Sequence, residues 1–456
     1  MNSTTRRSYL HESKELLILA GPLSASYAGN QLMSVVDTAV VGRLGEVQLA
    51  GVGMGNAFFF ASLIIGMGIV TGLDPLVSQA IGAKDFPKAR QRLQEAWWMA
   101  VFLTVPLSLL VFISGHALDF LSIDLATQRE TFYYMVGRFP SIFPALAYVV
   151  LRGFLQASGD TRSIMMSTIV ANIANVPLSI LLAFGDKAMI GMGLPAIGLG
   201  EGWGVLGAAV ASSVVSLLQL VYLLRALWAL PAPETILKGN EEGMRKLLGV
   251  GWPLSMQMLA EGGIFVTITV LMGKFGPTIL SGHQIALQMA SFSFTVCLGI
   301  AAATSIRVGY AIGKEDVSGT RRAGLVGIVM GVCVMGCSAF VFWVAARPLV
   351  GLFATNETVI SSAISFLYIA ALFQVFDGLQ VVSSGALRGA GDTKRAMQFN
   401  IISHWVIAFP LGYSLAFWWD VGPVGLWWGL IVGLGSVGLC LAGRFIILSR
   451  KLIPQI

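Results

Sequence analysis

The sequence predicts an all-α polytopic membrane protein of twelve transmembrane helices, arranged as two parallel six-helix lobes around a central cleft. Three observations carry this. Of the 456 residues, 56% are hydrophobic and only 11% charged, where a soluble protein carries roughly 25% charged residues. Twelve apolar runs are each long enough to cross a bilayer core of about 30 Å. Four short motifs recur in order, at nearly one offset, in the two halves of the chain. The same composition excludes other classes. The 53 glycines follow no G-X-Y period, and 10% aromatic residues with a mean hydropathy of +0.79 are incompatible with disorder.

The elements follow from the apolar runs between charges. Residues 1–14 form a tail. The first span, 15–41, is too long for a signal peptide and runs directly into GRLGEVQLAG. Spans at 48–80, 95–116, 127–155, 163–185 and 203–229 complete an N-lobe over 15–229. LPAPETILKGNEEGMR, at 230–245, holds two prolines and a cluster of polar and charged residues, and reads as a linker. Spans at 246–272, 279–312, 323–346, 358–388, 396–419 and 424–447 form a C-lobe over 246–448, followed by a tail at 449–456. Runs beyond 25 residues imply tilt or extension past the bilayer.

The basic residues fix the orientation. With the N-terminus in the cytoplasm, 23 of the 29 Lys and Arg fall on inner segments. Only Arg43, Arg129, Arg138, Lys187, Lys274 and Arg347 fall outside. This obeys the positive-inside rule and places both termini in the cytoplasm. The net charge of +6 is therefore a topology signal, and no nucleic-acid partner is expected.

Pro-Leu-Ser at Pro22 recurs at Pro253, GRLG (42–45) as GKFG (273–276), and AIGAKD (80–85) as AIGKED (311–316), all at an offset of 231. SGDTR (158–162) recurs as AGDTK (390–394), at 232. Each half holds an even number of spans, so both enter the membrane the same way round. They are parallel repeats about an axis along the membrane normal, a symmetry that suits alternating access.

A carboxylate in mid-membrane costs about 2.5–3.5 kcal/mol on insertion scales and must be paired, protonated or bound to something. Three acids fall deep inside spans. Glu261 stands twelve residues from Gly273, or about 18 Å along a helix. Asp377 stands eleven residues from Arg388, or about 16 Å. Both lie near the midplane of the same half, and Asp37 lies in the outer third of span 1. No Lys or Arg is read at similar depth, so the expected partner is a proton or a mobile cation. Two carboxylates sharing a site repel, which favours holding a proton or Na⁺.

The remaining polar residues read as structural. Asp74, beside Pro75 near the inner end of span 2, fits a helix-break or packing role and leaves a transport role open, and Glu95 is interfacial. Asp160 and Asp392, in the repeated GDT turn, are expected to cap the helices that follow. His404 is a packed polar group, while His11, His116 and His283 fall at span ends. Trp97, Trp98, Trp418, Trp419, Trp427 and Trp428 form an interfacial belt. Cys297, Cys333, Cys337 and Cys440 are packing residues without a disulfide or CxxC framework. Neither a metal cluster nor a P-loop is present, and no cofactor is expected.

Taken together, VDTAVVGRLG after span 1, VSQAIGAKD after span 2, LRGFLQASGDTR after span 4 and AEGG on span 7 resemble the multidrug and toxic compound extrusion (MATE) transporters, over residues 14–448. Acids on both spans 7 and 10 resemble the NorM-like branch. The resemblance implies an antiporter in the plasma (bacterial inner) membrane, monomeric and contacting membrane lipids, that exports small organic cations or drugs against Na⁺ or H⁺. By position it assigns coupling-ion binding to Glu261, Asp377, Asp37, Asn175 and Ser212, and substrate binding to Asp37, Glu261, Asp377 and Phe373. Ser179 stands where some members carry Asp, and Phe373 where several carry Tyr. The expected mechanism is competition: a proton or Na⁺ neutralises the acids, the cationic drug leaves, and release of the ion restores the charge.

Rival readings have weaker support. A flippase of lipid-linked sugars would need cationic residues in the cleft. An intramembrane enzyme would need a nucleophile–base pair or metal ligands at depth, and His404 stands alone. A major-facilitator transporter would carry a Gly-Asp-Arg loop after span 2, where AIGAKDFPKARQR stands.

Overall fold

The computed structural model describes residues 3–116, 124–191, 198, 200–231 and 237–456, so 232–236 of the expected linker lie outside the described residues. Every regular element among them is helical. Eleven stretches are long and apolar enough to cross a membrane. The expected first span lies in α1 (Ser3–Gly42), a continuous helix of 40 residues that does not meet that apolar criterion. Asn30, Gln31, Ser34, Asp37 and Thr38 make its second half polar.

The boundaries follow local chemistry. Span 2 is α2 (Glu46–Thr71) and α3 (Leu73–Gly82), parted at Gly72. Span 3 is α4 (Phe86–His116), nine residues earlier than the apolar pattern suggests, because KARQRLQEAW continues the helix with polar residues. Span 4 is α5 (Leu125–Arg138) and α6 (Ile142–Ala157), joined by a 3-10 turn at Phe139–Ser141 that contains Pro140. Then come α7 (Thr161–Phe184), the short α8 (Asp186–Gly191), α9 (Gly204–Ala229), α10 (Glu241–Gly273), α11 (Pro277–Gly313), α12 (Val317–Val344), the short α13 (Ala346–Val350) and α14 (Glu357–Gly389). Span 11 begins as α15 (Thr393–Ile401), widens to a π-helix at Ile402–Ala408, and ends as α16 (Phe409–Phe417); α17 (Pro423–Leu448) is last. Pro410 stands just past the π-segment, where it lacks an N–H for the helical ladder and its ring crowds the i−4 carbonyl.

The repeat is written in the backbone. Left-handed φ values recur at Gly45 (147°) and Gly276 (97°), at Lys84 (62°) and Glu315 (58°), and at Gly159 (88°) and Gly391 (75°). In the AIG turns the Asp85 N–H donates to the Ala80 carbonyl (2.9 Å) and the Asp316 N–H to that of Ala311 (3.0 Å). These are matching six-residue helix ends.

The two GDT aspartates differ. Asp160 caps α7 by accepting from the Ser163 N–H at 3.1 Å, as expected. Asp392 makes no cap; its carboxylate is drawn to the Arg444 guanidinium, Nε–Oδ2 2.7 Å, because a charged donor outcompetes a backbone amide. Asp316 caps α12 through the Gly319 N–H (2.8 Å), and that bond holds its carboxyl below the usual range. A depressed folded value stabilises above the unfolded pKa of about 3.9, and that contribution is lost as pH falls from there through the lower folded value. Asp316→Ala should cost about 1 kcal/mol. In thermal unfolding between pH 3 and 6, the parent's advantage over this variant should shrink below about pH 4.

The chain divides into two compact units: Met1–Tyr27 with Asp74–Phe86 and Gly249–Ile456, and Ala28–Leu73 with Pro87–Leu248. In the first, α14 packs on α11, α12 and α17 around buried Phe366, Phe373, Trp427 and Leu430. Trp427 is thus a core residue, not part of an interfacial belt, whereas Trp98, Trp418, Trp419 and Trp428 are exposed. His283, expected at a span end, is fully buried within α11 against Trp427 and Phe366, and its Nε2 lies 3.0 Å from Thr269 Oγ1.

The first unit also holds α3 against α11. A Cβ on Gly82 would overlap the Tyr310 carbonyl, and one on Gly313 the Gln79 carbonyl. Gly82 and Gln79 map onto Gly313 and Tyr310 at the repeat offset of 231, so the contact is reciprocal. Gln79 extends it: Nε2 donates to the Gly389 carbonyl (3.1 Å), and Oε1 accepts the Ile456 N–H (3.0 Å). Asp74, buried at the start of α3, lies 4.0 Å from Arg388 Nε. Glu12, on α1, holds Arg307 through two bonds of 2.7 and 2.8 Å.

In the second unit α9 packs on α5, α6 and α7, and α2 on α5. Val40, Val41, Val52, Tyr134, Val205 and Ala209 form its core beside Asp37.

Candidate functional site

The second unit builds a polar site around one carboxylate. Asp37, on α1, accepts from Asn175 Nδ2 at 2.6 Å, Ser212 Oγ at 2.9 Å and Ser179 Oγ at 3.3 Å. Asn175 and Ser179 are one turn apart on α7, on one face, and the packing of α7 on α9 brings Ser212 to the other carboxylate oxygen. All three donors are neutral and buried. They favour the charged carboxylate without neutralising it, so it remains able to take a proton or a cation.

A cavity of about 210 Å³ opens beside it, lined by Asn30, Asp37, Asn56, Tyr134, Arg138 and Ser216 among others. Tyr134 donates to Asn56 Oδ1 at 3.3 Å. Arg138 corrects the expectation that no cation reaches this depth. It ends α5, one turn beyond Tyr134, and its guanidinium lies 4.9 Å over the Phe59 ring. The loop count assigns it to the outer side although it falls within the expected span 127–155, and the structure places it inside span 4, at the end of α5.

The first unit holds the other two acids. Asp377, on α14, is buried. Glu261, on α10, is within electrostatic reach of it and half-buried. Asn400 Nδ2 donates to Glu261 Oε2 at 3.4 Å. One turn on, His404 is fully buried, with Nδ1 2.9 Å from the Asn400 carbonyl and no partner for Nε2 among the described residues. Trp405 Nε1 donates to the Ala260 carbonyl (3.0 Å), tying the π-segment beside Glu261. Phe373 is buried, edge-on to Trp427 and Phe265, one turn from Asp377.

The structure thus gathers Asp37, Asn175 and Ser212 at one carboxylate, with Ser179 added. Separately it gathers Glu261 and Asp377, with Asn400. Sequence reasoning missed Tyr134, Arg138 and Asn400. A lone Arg inside TFYYMVGRFPSIF was the available signal for the second. Among the described residues no group of three or more His, Cys, Asp or Glu could hold a metal ion.

This architecture has known counterparts. The sequence model of the MatE family matches residues 22–181 and 253–414, one match in each half. The chain belongs to the MatE family. The second MatE match starts 231 residues after the first and ends 233 after it, so the halves differ by two inserted residues. One is in place by the GDT turns, and the other lies between them and the end of the match, a stretch that includes the π-segment. A Bradyrhizobium diazoefficiens protein described as a probable multidrug resistance protein NorM is 33% identical over 453 residues, covering 97% of this chain and 95% of its own. A Deinococcus radiodurans protein of the same description is 34% identical, covering 96% of each. An Edwardsiella ictaluri protein described as multidrug resistance protein MdtK is 28% identical, covering 98% and 97%. The eukaryotic MATE transporter AtDTX14 shares the fold with a TM-score of 0.84, at 24% identity and 97% and 98% coverage. An outward-facing multidrug resistance MATE transporter shares it with 0.86, at 18% identity and 96% and 97% coverage. The MatE family is one of multi-pass membrane transporters, and this chain is a transporter rather than an enzyme.

Proposed function

We propose that this MatE protein is a secondary multidrug efflux antiporter, exporting cationic or amphipathic organic compounds in exchange for Na⁺ or H⁺ by alternating access. It sits in the inner membrane with both termini cytoplasmic, its moving parts being the repeat halves 15–229 and 246–448. One observation carries the reading: Asp37 lies beside an open cavity and its hydrogen bonds come from neutral donors alone, with Arg138 on the cavity wall but not paired to it. Such a carboxylate gains by binding a mobile cation, and loses that gain when a proton or Na⁺ arrives first. The exchange drives transport only if each ligand binds the two access states differently. Glu261 and Asp377 supply a second such site, since two acids in one low-dielectric region favour a shared proton or a bound cation. The names of the relatives, multidrug resistance proteins, fit this reading.

In proteoliposomes, ethidium efflux should be driven by an inward Na⁺ gradient alone or by an inward pH gradient alone, and should collapse when both are dissipated. Efflux that needs ATP, or that ignores both gradients, would sink the proposal.

A further inference from the structure

We propose that Arg138 is an anion-binding group, and that the Asp37 cavity is a zwitterion site. An organic ammonium sits on Asp37, and a carboxylate of the same molecule sits on Arg138. This rests on the efflux reading for its role in transport, but not for its binding chemistry.

Arg138 lies within Leu125–Ala157, a stretch apolar enough to cross a membrane, and lines the cavity together with Asp37. Among the described residues its guanidinium makes no ion pair and no hydrogen bond, and Nε is buried without an acceptor. A guanidinium has five N–H donors, and a charge in an apolar region is costly unless paired. The Phe59 ring, 4.9 Å away, engages its face. That contact leaves the N–H groups unsatisfied, and they match a carboxylate by paired, parallel bonds.

Asp37 does not fill this need. The two residues form no ion pair, and the Asp37 oxygens are already held by Asn175, Ser179 and Ser212. The cavity therefore presents a fixed negative and a fixed positive group, separated and facing the same space. A plain cation meets attraction from one and repulsion from the other, whereas a zwitterion gains from both. The size agrees. About 210 Å³ exceeds the roughly 150 Å³ that admits benzene and falls below the roughly 300–1,000 Å³ of whole-drug pockets. It holds the charged end of a ligand whose apolar part extends beyond it.

The test uses purified full-length protein in nanodiscs and three fluorescent probes: Nε-dansyl-lysine, its methyl ester, and its α-N-acetyl derivative. In the parent, the zwitterion should bind at least tenfold tighter than either derivative. Arg138→Gln should remove the preference over the ester while leaving ester affinity unchanged or tighter, and Arg138→Lys should retain part of it. Arg129→Gln, an exposed change, should alter nothing. Equal affinity for zwitterion and ester in the parent, or parallel losses of both in Arg138→Gln, would overturn the proposal. The parent comparison alone decides if the variants do not fold. Efflux of the same probes from proteoliposomes separates the two ideas. Tight binding without export defeats only the antiporter reading, whereas export with no preference for the zwitterion defeats only the site.

Discussion

Asp37→Asn should reduce ethidium efflux to the level of protein-free vesicles under either gradient, with the thermal midpoint kept within a few degrees. The substitution keeps the shape of the side chain and one acceptor oxygen. Ser212, Ser179 and Asn175 are hydroxyl and amide groups that can reorient to meet an amide. What disappears is the capacity to exchange a proton or Na⁺ for an organic cation, and with it the competition on which transport depends. Ser212→Ala and Asn175→Ala remove one charge-assisted bond each, worth about 1.5–3 kcal/mol. They should slow efflux by one or two orders of magnitude without abolishing it. Glu261→Gln with Asp377→Asn should also abolish efflux. If the Asp37 variant transported as the parent does, the coupling role of this carboxylate would be refuted, however well its hydrogen bonds are formed.

A second large effect is expected at the crossing of α3 and α11. Gly82→Val and Gly313→Val each place side-chain atoms on a backbone carbonyl, of Tyr310 and Gln79 respectively. A carbonyl within a helix cannot swing away as a flexible side chain would. Overpacking costs about 1–3 kcal/mol per site, and here it also separates two helices whose closeness depends on small residues. Each variant should unfold at a visibly lower temperature in detergent, and the double variant should fail to accumulate. Gly249→Ala is the control: its Cβ would meet nothing within 4 Å, and loss of a helical glycine should be neutral or mildly stabilising. Equal midpoints for the parent and the valine variants would show that the crossing is looser than the geometry implies.

The fold was legible because lipid imposes a simple rule. Apolar runs and basic loops recovered the span order, and motifs at an offset of 231 exposed the duplication. Errors arose where a residue's surroundings come from elsewhere in the chain. Asp392 looked like the twin of Asp160, but only Asp392 has Arg444 within reach, and Arg444 lies 52 positions away. Trp427 follows an expected span edge, yet α14 and α11 supply His283, Phe366 and Phe373 to enclose it. At the site, position in a span was enough to single out Asp37, Glu261 and Asp377. Their partners divide: Asn175 and Ser212 came through the family resemblance, whereas Arg138 and Asn400 emerge only when α5 and α15 are placed in three dimensions.

The widened turn at Ile402–Ala408 bears on how the two halves have diverged. An extra residue in an unbroken α-helix would turn everything beyond it by about 100°, at 3.6 residues per turn, whereas a widened turn takes the residue up and lets the helix beyond it keep its facing. Pro177 and Pro410 mark the shift, standing 233 positions apart where the earlier motifs stand 231 apart. At that offset the counterpart of Asn175 is Ala408. At the earlier offset the counterpart of Asp37 is Ile268, and that of Glu261 is Asn30. Neither half keeps the other's acids. The ancestral duplicate has become two specialised organs, and a protein assembled from two copies of either half would inherit one chemistry twice and lose the other.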